Sequence, residues 1–408
     1  MTLILGTGAP AGVDLSDPRT HARRDLSALW KRLREEQPVA WHPVRGGGFW
    51  VVTRHADALT VYRDSAGYTS TRGNVLATLL AGGDPAGGKM LVVSDGPRTL
   101  AIRRRLLKAF TPAALRELSV HIKALARRLV AEAVSRDTCD FASEVAEHIP
   151  LAAICDLLLI PEADRKPLLK HAQAALASES ANASEREARM ARNEILMYFA
   201  KLARARKDER ADDLLGILLQ LTREPLALST EELLLNCYSL LLGGDETSRL
   251  SMIGLVKAFA EWPEQWQLLR SGAVRFDSAV EEILRWTTPT LHAGRTAAAD
   301  LTLAGQAIAA GQLVTVWNSS ANFDPAAFDH PERLDLARKP NKHLSFGHGH
   351  HFCLGAQLAR IELRALLEAL VETVEAFELV GEPRPLYSNF LSGYSSLRVR
   401  LHARRDAS

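Results

Sequence analysis

One loop limits what this chain can fold into more than any other part of its sequence. It runs from His343 to Gly355, reads HLSFGHGHHFCLG, and places one cysteine directly before a predicted helix. Its glycines let the backbone turn tightly and approach a flat ligand without Cβ clashes. The amides after Cys353 lie at the predicted helix N-terminus, where they can donate to the sulfur and favour the thiolate. The loop therefore predicts a single thiolate of lowered pKa that is presented to a metal centre.

Two metal centres fit such a cysteine, a haem iron with one thiolate ligand and a zinc ion. A zinc site would have to combine Cys353 with neighbouring histidines, which are His343, His348, His350 and His351. Structural zinc sites usually need two spaced ligand pairs, and the other three cysteines lie far away without Cys-x-x-Cys spacing. The sequence therefore favours haem, and we expect His348 and His350 to lie at the surface.

The loop resembles the cysteine-ligand loop of the cytochrome P-450 superfamily. That family's pattern, Phe-Gly-x-Gly-x-His-x-Cys-x-Gly, is filled here by Phe346, Gly347, Gly349, His351, Cys353 and Gly355. The resemblance implies that Cys353 is the axial ligand of the iron of haem b, and that Phe346, Gly347, His351 and Gly355 are cofactor-binding residues. It also implies a soluble bacterial member with a mainly α fold, small peripheral β-sheets, and haem between a long central helix and the cysteine-loop helix.

Composition restricts the remaining possibilities. The 408 residues contain no linker or long charge block, so one domain covering 1–408 is expected. A net charge of +2 gives no reason to expect nucleic acid binding. Because no leader pattern or run of about 20 apolar residues is visible, we expect a cytoplasmic protein that does not bind membranes. Four scattered cysteines fit a reducing compartment.

Helical periodicity dominates the middle of the chain, and strand patterns are few. Helices are predicted at 112–134, 161–177, 185–205 and 229–259, with a polar surface loop at 178–184. Strands are predicted at 49–53, 301–303, 312–317 and 397–401. This pattern predicts a mainly helical body, which agrees with the fold that the resemblance implies.

The predicted helix at 229–259 begins with a capping box formed by Ser229 and Glu232. Its middle holds Gly243 and Gly244, each of which costs roughly 1 kcal/mol relative to alanine in a helix. A kinked core helix with solvent-facing acids is one interpretation. The resemblance implies another, in which the glycines widen a groove that admits dioxygen, while Glu246 and Thr247 deliver the protons that O–O cleavage consumes.

A third motif is the pair Glu282 and Arg285, which share one face of a predicted helix. Alone it is typical of a surface salt bridge. The resemblance implies that it is the family's buried Glu-x-x-Arg pair, with Arg333 as the third member, and that the three residues have a structural role.

Haem carries two propionates, which need cationic or hydrogen-bonding partners. The resemblance implies that Arg295, His351 and Arg103 provide them. Many soluble bacterial members also have a histidine four residues before the arginine that corresponds to Arg103, and Thr99 takes that position here.

The resemblance implies a monooxygenase that inserts one oxygen atom from O₂ into a C–H or C=C bond of a small organic substrate. Electrons would come from a separate ferredoxin and ferredoxin reductase, because no flavin or dinucleotide motif is visible. Local similarity points to tailoring of a polyketide or peptide antibiotic, which a carrier protein could deliver to a monomeric enzyme. Positions that match the family's substrate contacts are Leu240, Leu291, His292, Phe390 and Leu391.

Two alternatives keep the same fold but change the function. One is an oxidative coupling enzyme, and the other is a haem-containing recruitment domain without turnover. The acid and alcohol at 246 and 247 favour an enzyme, since a recruitment domain usually lacks that pair.

Overall fold

The computed structural model describes residues 13–23, 25–176, 185–209, 212–223 and 225–404. The polar loop expected at 178–184 lies outside these residues. The helices in the described part are α1 (Pro18–Arg23), α2 (Ser27–Glu36), α3 (His55–Arg63), α4 (Leu76–Leu80), α5 (Gly96–Leu106), α6 (Arg116–Val134), α7 (His148–Leu157), α8 (Glu162–Leu176), α9 (Glu185–Ala205), α10 (Leu214–Leu221), α11 (Thr230–Glu261), α12 (Pro263–Arg270), α13 (Phe276–Thr287), α14 (Asn318–Ala321) and α15 (Ala356–Thr373).

Short strands form four separate sheets beside the helices. They are β1 (Val39–Val44), β2 (Gly47–Val52), β3 (Tyr68–Thr69), β4 (Cys139–Asp140), β5 (His292–Ala297), β6 (Leu301–Leu303), β7 (Gln306–Ile308), β8 (Leu313–Trp317), β9 (Val374–Leu379), β10 (Arg384–Pro385), β11 (Tyr394–Ser396) and β12 (Arg398–Ala403). The largest sheet has the order β1-β2-β8-β5-β3, the next is β4-β12-β9, and β6-β7 and β10-β11 are hairpins. The mainly helical class with small sheets is therefore confirmed.

The long helix α11 occupies the centre of the molecule. It packs against α7, α9, α13 and α15, and most of its buried apolar residues belong to the main hydrophobic cluster. Its N-terminus has the predicted capping box, because the Ser229 hydroxyl accepts from the Glu232 amide and the Glu232 carboxylate accepts from the Ser229 amide. The cap satisfies amides that the first turn would leave unpaired, so the helix begins where the sequence predicts.

Helix α6 begins four residues later than its periodicity suggests. Thr111 Oγ1 accepts a hydrogen bond from the amide of Ala114, so the segment before Arg116 forms a turn. Local hydroxyl bonding competes with the helix here. None of the helices within the described ranges combines the length and hydrophobicity that a membrane span requires.

Candidate functional site

The cysteine loop is held against α3 by two glycines in the left-handed backbone region. Gly347 has φ +65° and Gly349 has φ +69°. A Cβ on Gly349 would lie 2.4 Å from the carbonyl oxygen of Tyr62, so only glycine fits this close approach. The Cys353 amide donates to the Phe346 carbonyl oxygen at 2.9 Å, which closes the loop before α15. The glycines and this bond together fix the position of the Cys353 backbone.

The Cys353 thiol lies among groups that favour its charged form. Burial raises the pKa of Cys353, while the Gly355 amide and the guanidinium groups of Arg103 and Arg360 oppose that rise. The net direction is upward, so the expectation of a lowered pKa is wrong for the protein alone. Burial outweighs the helix N-terminus here, and a bound metal cation would be needed to keep the sulfur deprotonated.

Phe346 connects the cysteine loop to an ion pair that sequence reasoning missed. The guanidinium carbon of Arg360 lies 4.7 Å from the Phe346 ring centroid. Glu281 accepts two bonds from Arg360, at 2.6 and 3.0 Å, and also pairs with His343 at 3.3 Å. Burial alone would raise the pKa of Glu281, but the bonds from Arg360 and His343 lower it to about 2. The carboxylate therefore fixes the arginine that covers the ring.

The histidines of the loop bond to different partners instead of converging on one point. His343 pairs with Glu281, His348 with Arg63, His350 with Ser65 and His351 with Asp95. No three histidine, cysteine, aspartate or glutamate side chains of the described ranges come together in a way that could hold a metal ion. This arrangement gives no support to the zinc alternative.

The three residues expected to bind propionates, Arg295, Arg103 and His351, have different surroundings. Arg295 on β5 is 5% exposed, donates to the Gly294 carbonyl at 2.7 Å, and packs over the Tyr62 ring at 5.7 Å. No carboxylate of the described residues pairs with it. Arg103 on α5 donates to the Phe352 carbonyl oxygen. Burial lowers the pKa of Arg103, and the Cys353 charge acts against that change.

His351 is engaged by an acid that sequence reasoning did not assign to the site. Its Nε2 lies 2.8 Å from Asp95 Oδ1 and 3.2 Å from the Ser70 hydroxyl. Burial would raise the pKa of Asp95, but hydrogen bonds from His351, Thr69 and Ser70 lower it to about 2. The sequence offered one signal for this role. Asp95 directly precedes Gly96 and Pro97 at the start of α5, and an aspartate at a helix start commonly accepts hydrogen bonds.

These residues fit a haem with two propionates. A buried guanidinium without an acidic partner, as at Arg295, is costly unless an anion neutralises it. Arg103 and Arg295 both act on His351. Burial lowers the pKa of His351 most, and the charges of the two arginines lower it further. Thr99 donates its hydroxyl to the Asp95 carbonyl at 3.0 Å, so it does not replace the missing histidine.

The four predicted catalytic residues all lie on α11, but in different surroundings. A Cβ on Gly243 would meet no atom within 4 Å, whereas a Cβ on Gly244 would lie 2.9 Å from the Ile154 side chain. Gly243 thus faces open space, and Gly244 permits close packing of α7. The Thr247 hydroxyl donates to the Gly243 carbonyl at 3.2 Å. Glu246 bonds to Arg249, so in this structure it is not hydrogen-bonded to Thr247.

The Glu-x-x-Arg pair forms as predicted, but its third member is different. Glu282 and Arg285 are both 0% exposed and are joined by bonds of 2.7 and 2.8 Å. Arg338 donates to the same carboxylate at 3.0 Å. The Arg333 side chain is exposed, and only its carbonyl oxygen accepts from Arg285. The prediction for Arg333 is therefore wrong, because the backbone of that segment turns its side chain toward solvent.

The predicted substrate-contacting residues are divided between a cavity and the packed interior. Leu291 and Leu391 line a cavity of about 520 Å³ beside the second half of α11. Phe390 packs against Leu391, whereas Leu240 packs against the main core. His292 is 0% exposed, and its Nε2 accepts from the Leu76 amide at 3.1 Å.

His292 therefore packs inside the protein and contacts neighbouring side chains. Its ring packs at a tilt against Trp317 and edge-to-face against Phe390, with centroid distances of 4.9 and 5.5 Å. Burial, followed by the charge of His21, lowers the pKa of His292 to about 3, so the ring is neutral at physiological pH. The assignment of all five residues to substrate binding stays a prediction.

The chain is similar to known proteins over nearly its whole length. The cytochrome P450 family model matches residues 276–393. Cytochrome P450 NovI of Streptomyces niveus is 42% identical over 391 residues, which cover 95% of this chain and 96% of that protein. A steroid C26-monooxygenase of Mycobacterium tuberculosis is 31% identical over 98% of this chain and 94% of its own. The crystal structure of P450 OxyD, involved in the biosynthesis of vancomycin-type antibiotics, superposes with a TM-score of 0.87 at 35% identity, covering 96% and 100% of the two chains.

Proposed function

This chain belongs to the cytochrome P450 family and is a P450 monooxygenase, and we propose that it oxidises a polyketide or peptide antibiotic precursor. In this proposal one oxygen atom of O₂ enters a C–H or C=C bond of the substrate. The observation that carries the proposal is the glycine-fixed loop of Cys353, whose thiol is influenced by the guanidinium group of Arg103. Arg103 and Arg295 both act on His351 of the same loop. The similarity to OxyD supports the antibiotic class of substrate.

The cofactor of the proposal is haem b, held without a covalent tether. Cys353 would ligate the iron, while Arg103, Arg295 and His351 would hold the propionates. A c-type haem, attached by thioether bonds, would need a Cys-x-x-Cys-His segment, and the chain contains none. When bound, the cofactor supplies the oxygen-activating chemistry, and the protein supplies binding, orientation and proton delivery.

The residues of α11 have two tasks in this proposal. Gly243 leaves open space above the face that holds Thr247. The Thr247 hydroxyl, which donates to the Gly243 carbonyl, keeps its lone pairs available to accept a proton from an acid or a water. The alcohol can therefore pass a proton toward the reacting oxygen.

Electrons would arrive through a ferredoxin that is reduced by a separate reductase. Arg104 and Lys108 are exposed near the cysteine loop, and Leu107 and Phe352 are each 40% exposed beside them. A basic rim around apolar contacts suits a transient complex with an acidic partner. Arg104→Glu should slow reduction of the iron more at low salt than at high salt, and Lys31→Glu on α2 is the matched control on another surface. Equal slowing by both variants would contradict this docking site.

The substrate proposal is tested by binding and product analysis. Antibiotic precursors are added as free acids and as thioesters on a carrier protein, and the haem spectrum reports binding. We expect a spectral shift for a precursor, followed by a product with one added oxygen atom when surrogate ferredoxin and reductase are present. A coupled product without added oxygen would instead support the oxidative coupling alternative. Preference for the thioester would identify the carrier protein as a partner.

A further inference from the structure

The cavity of about 520 Å³ follows the second half of α11. Its lining residues on this helix include Leu250, Gly254, Lys257 and Glu261. At about 100° per residue, these four positions lie within roughly 40° of Gly243 around the helix. At about 1.5 Å per residue, Lys257 lies about 15 Å beyond Thr247 along the axis. The cavity therefore begins one turn after Thr247 and continues toward the C-terminal end of α11.

Leu250 and the loop at 390–393 lie between this cavity and the part of α11 that carries Thr247. A Cβ on Gly393 would lie 2.8 Å from Leu250 Cδ2, so the loop packs directly on the helix. Leu391 of the same loop joins Leu250 in one buried cluster, and Leu291 and Leu391 both line the cavity. A molecule in the cavity would thus be separate from one held above Thr247, although it would touch the same loop from the other side.

The buried part of the lining is mainly apolar. Trp30, Leu386 and Leu391 are buried and line the cavity, and Trp286 adds a further indole ring. Cavities of several hundred Å³ with apolar walls and a few polar groups are typical of sites for small organic molecules. The walls therefore suit a ring or an alkyl chain.

Two polar side chains of the lining already use their hydrogen-bond donors inside the protein. The Nε2 of His21 donates to the Leu15 carbonyl oxygen at 3.0 Å. Burial lowers the pKa of His21, so its ring is neutral at physiological pH. The Thr287 hydroxyl donates to the Ile283 carbonyl oxygen at 2.7 Å. Neither side chain therefore has this donor left for a ligand.

The rim of the cavity has more acceptors than donors. Among the described residues of the lining, the charged ones are Asp25, Lys257 and Glu261, whose net charge is −1 with His21 neutral. Lys257 donates to Glu261 and lies 5.6 Å from the ring centroid of Tyr394. Because a carboxylate has about four lone-pair sites and an ammonium group has three donors, one lysine leaves acceptor sites open at the rim.

We propose that this cavity is a second ligand site that binds an amphipathic amine. The apolar body of the amine lies among Trp30, Leu386 and Leu391, and its ammonium group donates to Glu261 at the rim. An anion would have to displace Glu261 from Lys257, whereas an ammonium group adds a donor to the existing pair. The aromatic rings of the lining also favour a cation. The site goes beyond the proposed function, since its occupancy does not depend on which substrate is oxidised.

Calorimetry of the holoenzyme tests the site while the haem side is occupied. A phenylimidazole first saturates the iron, as followed by the haem spectrum, so that an added amine does not ligate it. Phenylbutylamine, phenylpentanol and phenylpentanoate are then titrated at pH 7.5, where the amine is protonated. We expect the amine to bind about tenfold more tightly than either of the others, which is the effect of one charge-assisted hydrogen bond. Absence of amine binding at millimolar concentration, or equal binding of the carboxylate, would overturn the proposal.

A charge variant tests the rim. Glu261→Gln should weaken binding of the amine about tenfold and strengthen binding of the carboxylate, because it releases Lys257. Glu264→Gln, which changes an exposed acid in the first turn of α12, is the matched control and should bind both ligands like the wild type. Equal affinity of Glu261→Gln and the wild type for the amine would contradict the assignment of the ammonium group to this rim.

Hydrogen exchange locates the ligand. The amine should slow exchange in segments 286–291 and 385–394, which contribute to the lining, and leave α6 unchanged. Ala22→Trp, which fills the cavity from α1, should abolish both this protection and the heat of binding while the phenylimidazole spectrum stays the same. Protection confined to other segments, or retained in a folded Ala22→Trp variant, would overturn the site. A failure of the substrate proposal, which is tested through the haem spectrum and product analysis, would change none of these results.

Discussion

The buried acids Asp245 on α11 and Glu362 on α15 should make the stability of the protein fall as the pH rises through neutrality. Burial raises their pKa values to about 8 in the folded protein, against ordinary values of 3.8 and 4.5. The folded state therefore binds these protons more tightly than the unfolded state, so their contribution is fully present below about pH 4 and is lost as the pH rises toward 8. Replacing one acid by its amide removes the part of the dependence that this acid contributes.

The magnitude follows from linkage. One pKa unit corresponds to about 1.4 kcal/mol, so each group lowers the free energy of unfolding by about 1.4 kcal/mol per pH unit between its two pKa values. Between pH 5.5 and pH 7.5 the wild type should lose roughly 3 kcal/mol per group relative to the corresponding amide variant. Groups such as Asp95, whose pKa is lowered to about 2, are common to both proteins and cancel in this difference.

Urea unfolding at pH 5.5 and pH 7.5, followed by far-ultraviolet circular dichroism, measures the effect. Asp245→Asn and Glu362→Gln should gain stability relative to wild type as the pH rises, whereas Glu372→Gln, which changes an exposed α15 residue paired with Arg127, should follow the wild type. If both amide variants change with pH in parallel with the wild type, the acids are not protonated in the fold and the reasoning is refuted.

Three further tests use substitutions in and around the site. Thr247→Ala should raise peroxide release and lower the product formed per electron, while substrate affinity stays unchanged; unchanged coupling would assign proton delivery to another group. Gly347→Ala should cost about 1–2 kcal/mol for its positive φ, and Gly349→Ala should cost more, because its Cβ would also meet Tyr62; equal urea midpoints would contradict this. Arg338→Met should destabilise by about 3–5 kcal/mol, as expected when a buried ion pair is broken, whereas Arg333→Met should change little, and the reverse order would restore the original assignment.

Local signals in the sequence predicted the elements that depend on local chemistry. The capping box of Ser229 and Glu232 located the start of α11, and local strand patterns located β6 and β8. The glycines of the cysteine loop predicted tight turns of the backbone, and Gly347 and Gly349 have the positive φ values that such turns require. In each case neighbouring residues in the sequence carry the physical cause.

Long-range partners could not be read from the same patterns. Arg333 and Arg338 are both arginines after α13, and only the path of the backbone decides which one reaches Glu282. Asp95 was visible in the sequence, but its bond to His351 joins residues far apart in the chain. Glu246 and Asp245 are neighbours whose roles differ because one of them faces Arg249.

The central claim is that Cys353 presents a thiolate to haem iron, and the carbon monoxide difference spectrum of the reduced holoenzyme tests it most directly. The wild type should show the long-wavelength Soret band of thiolate ligation. Cys353→Ala should lose that band, while Cys139→Ala, which changes a buried cysteine away from the loop, should keep it. A protein that binds no haem, or a Cys353→Ala variant that retains the band, would contradict the account.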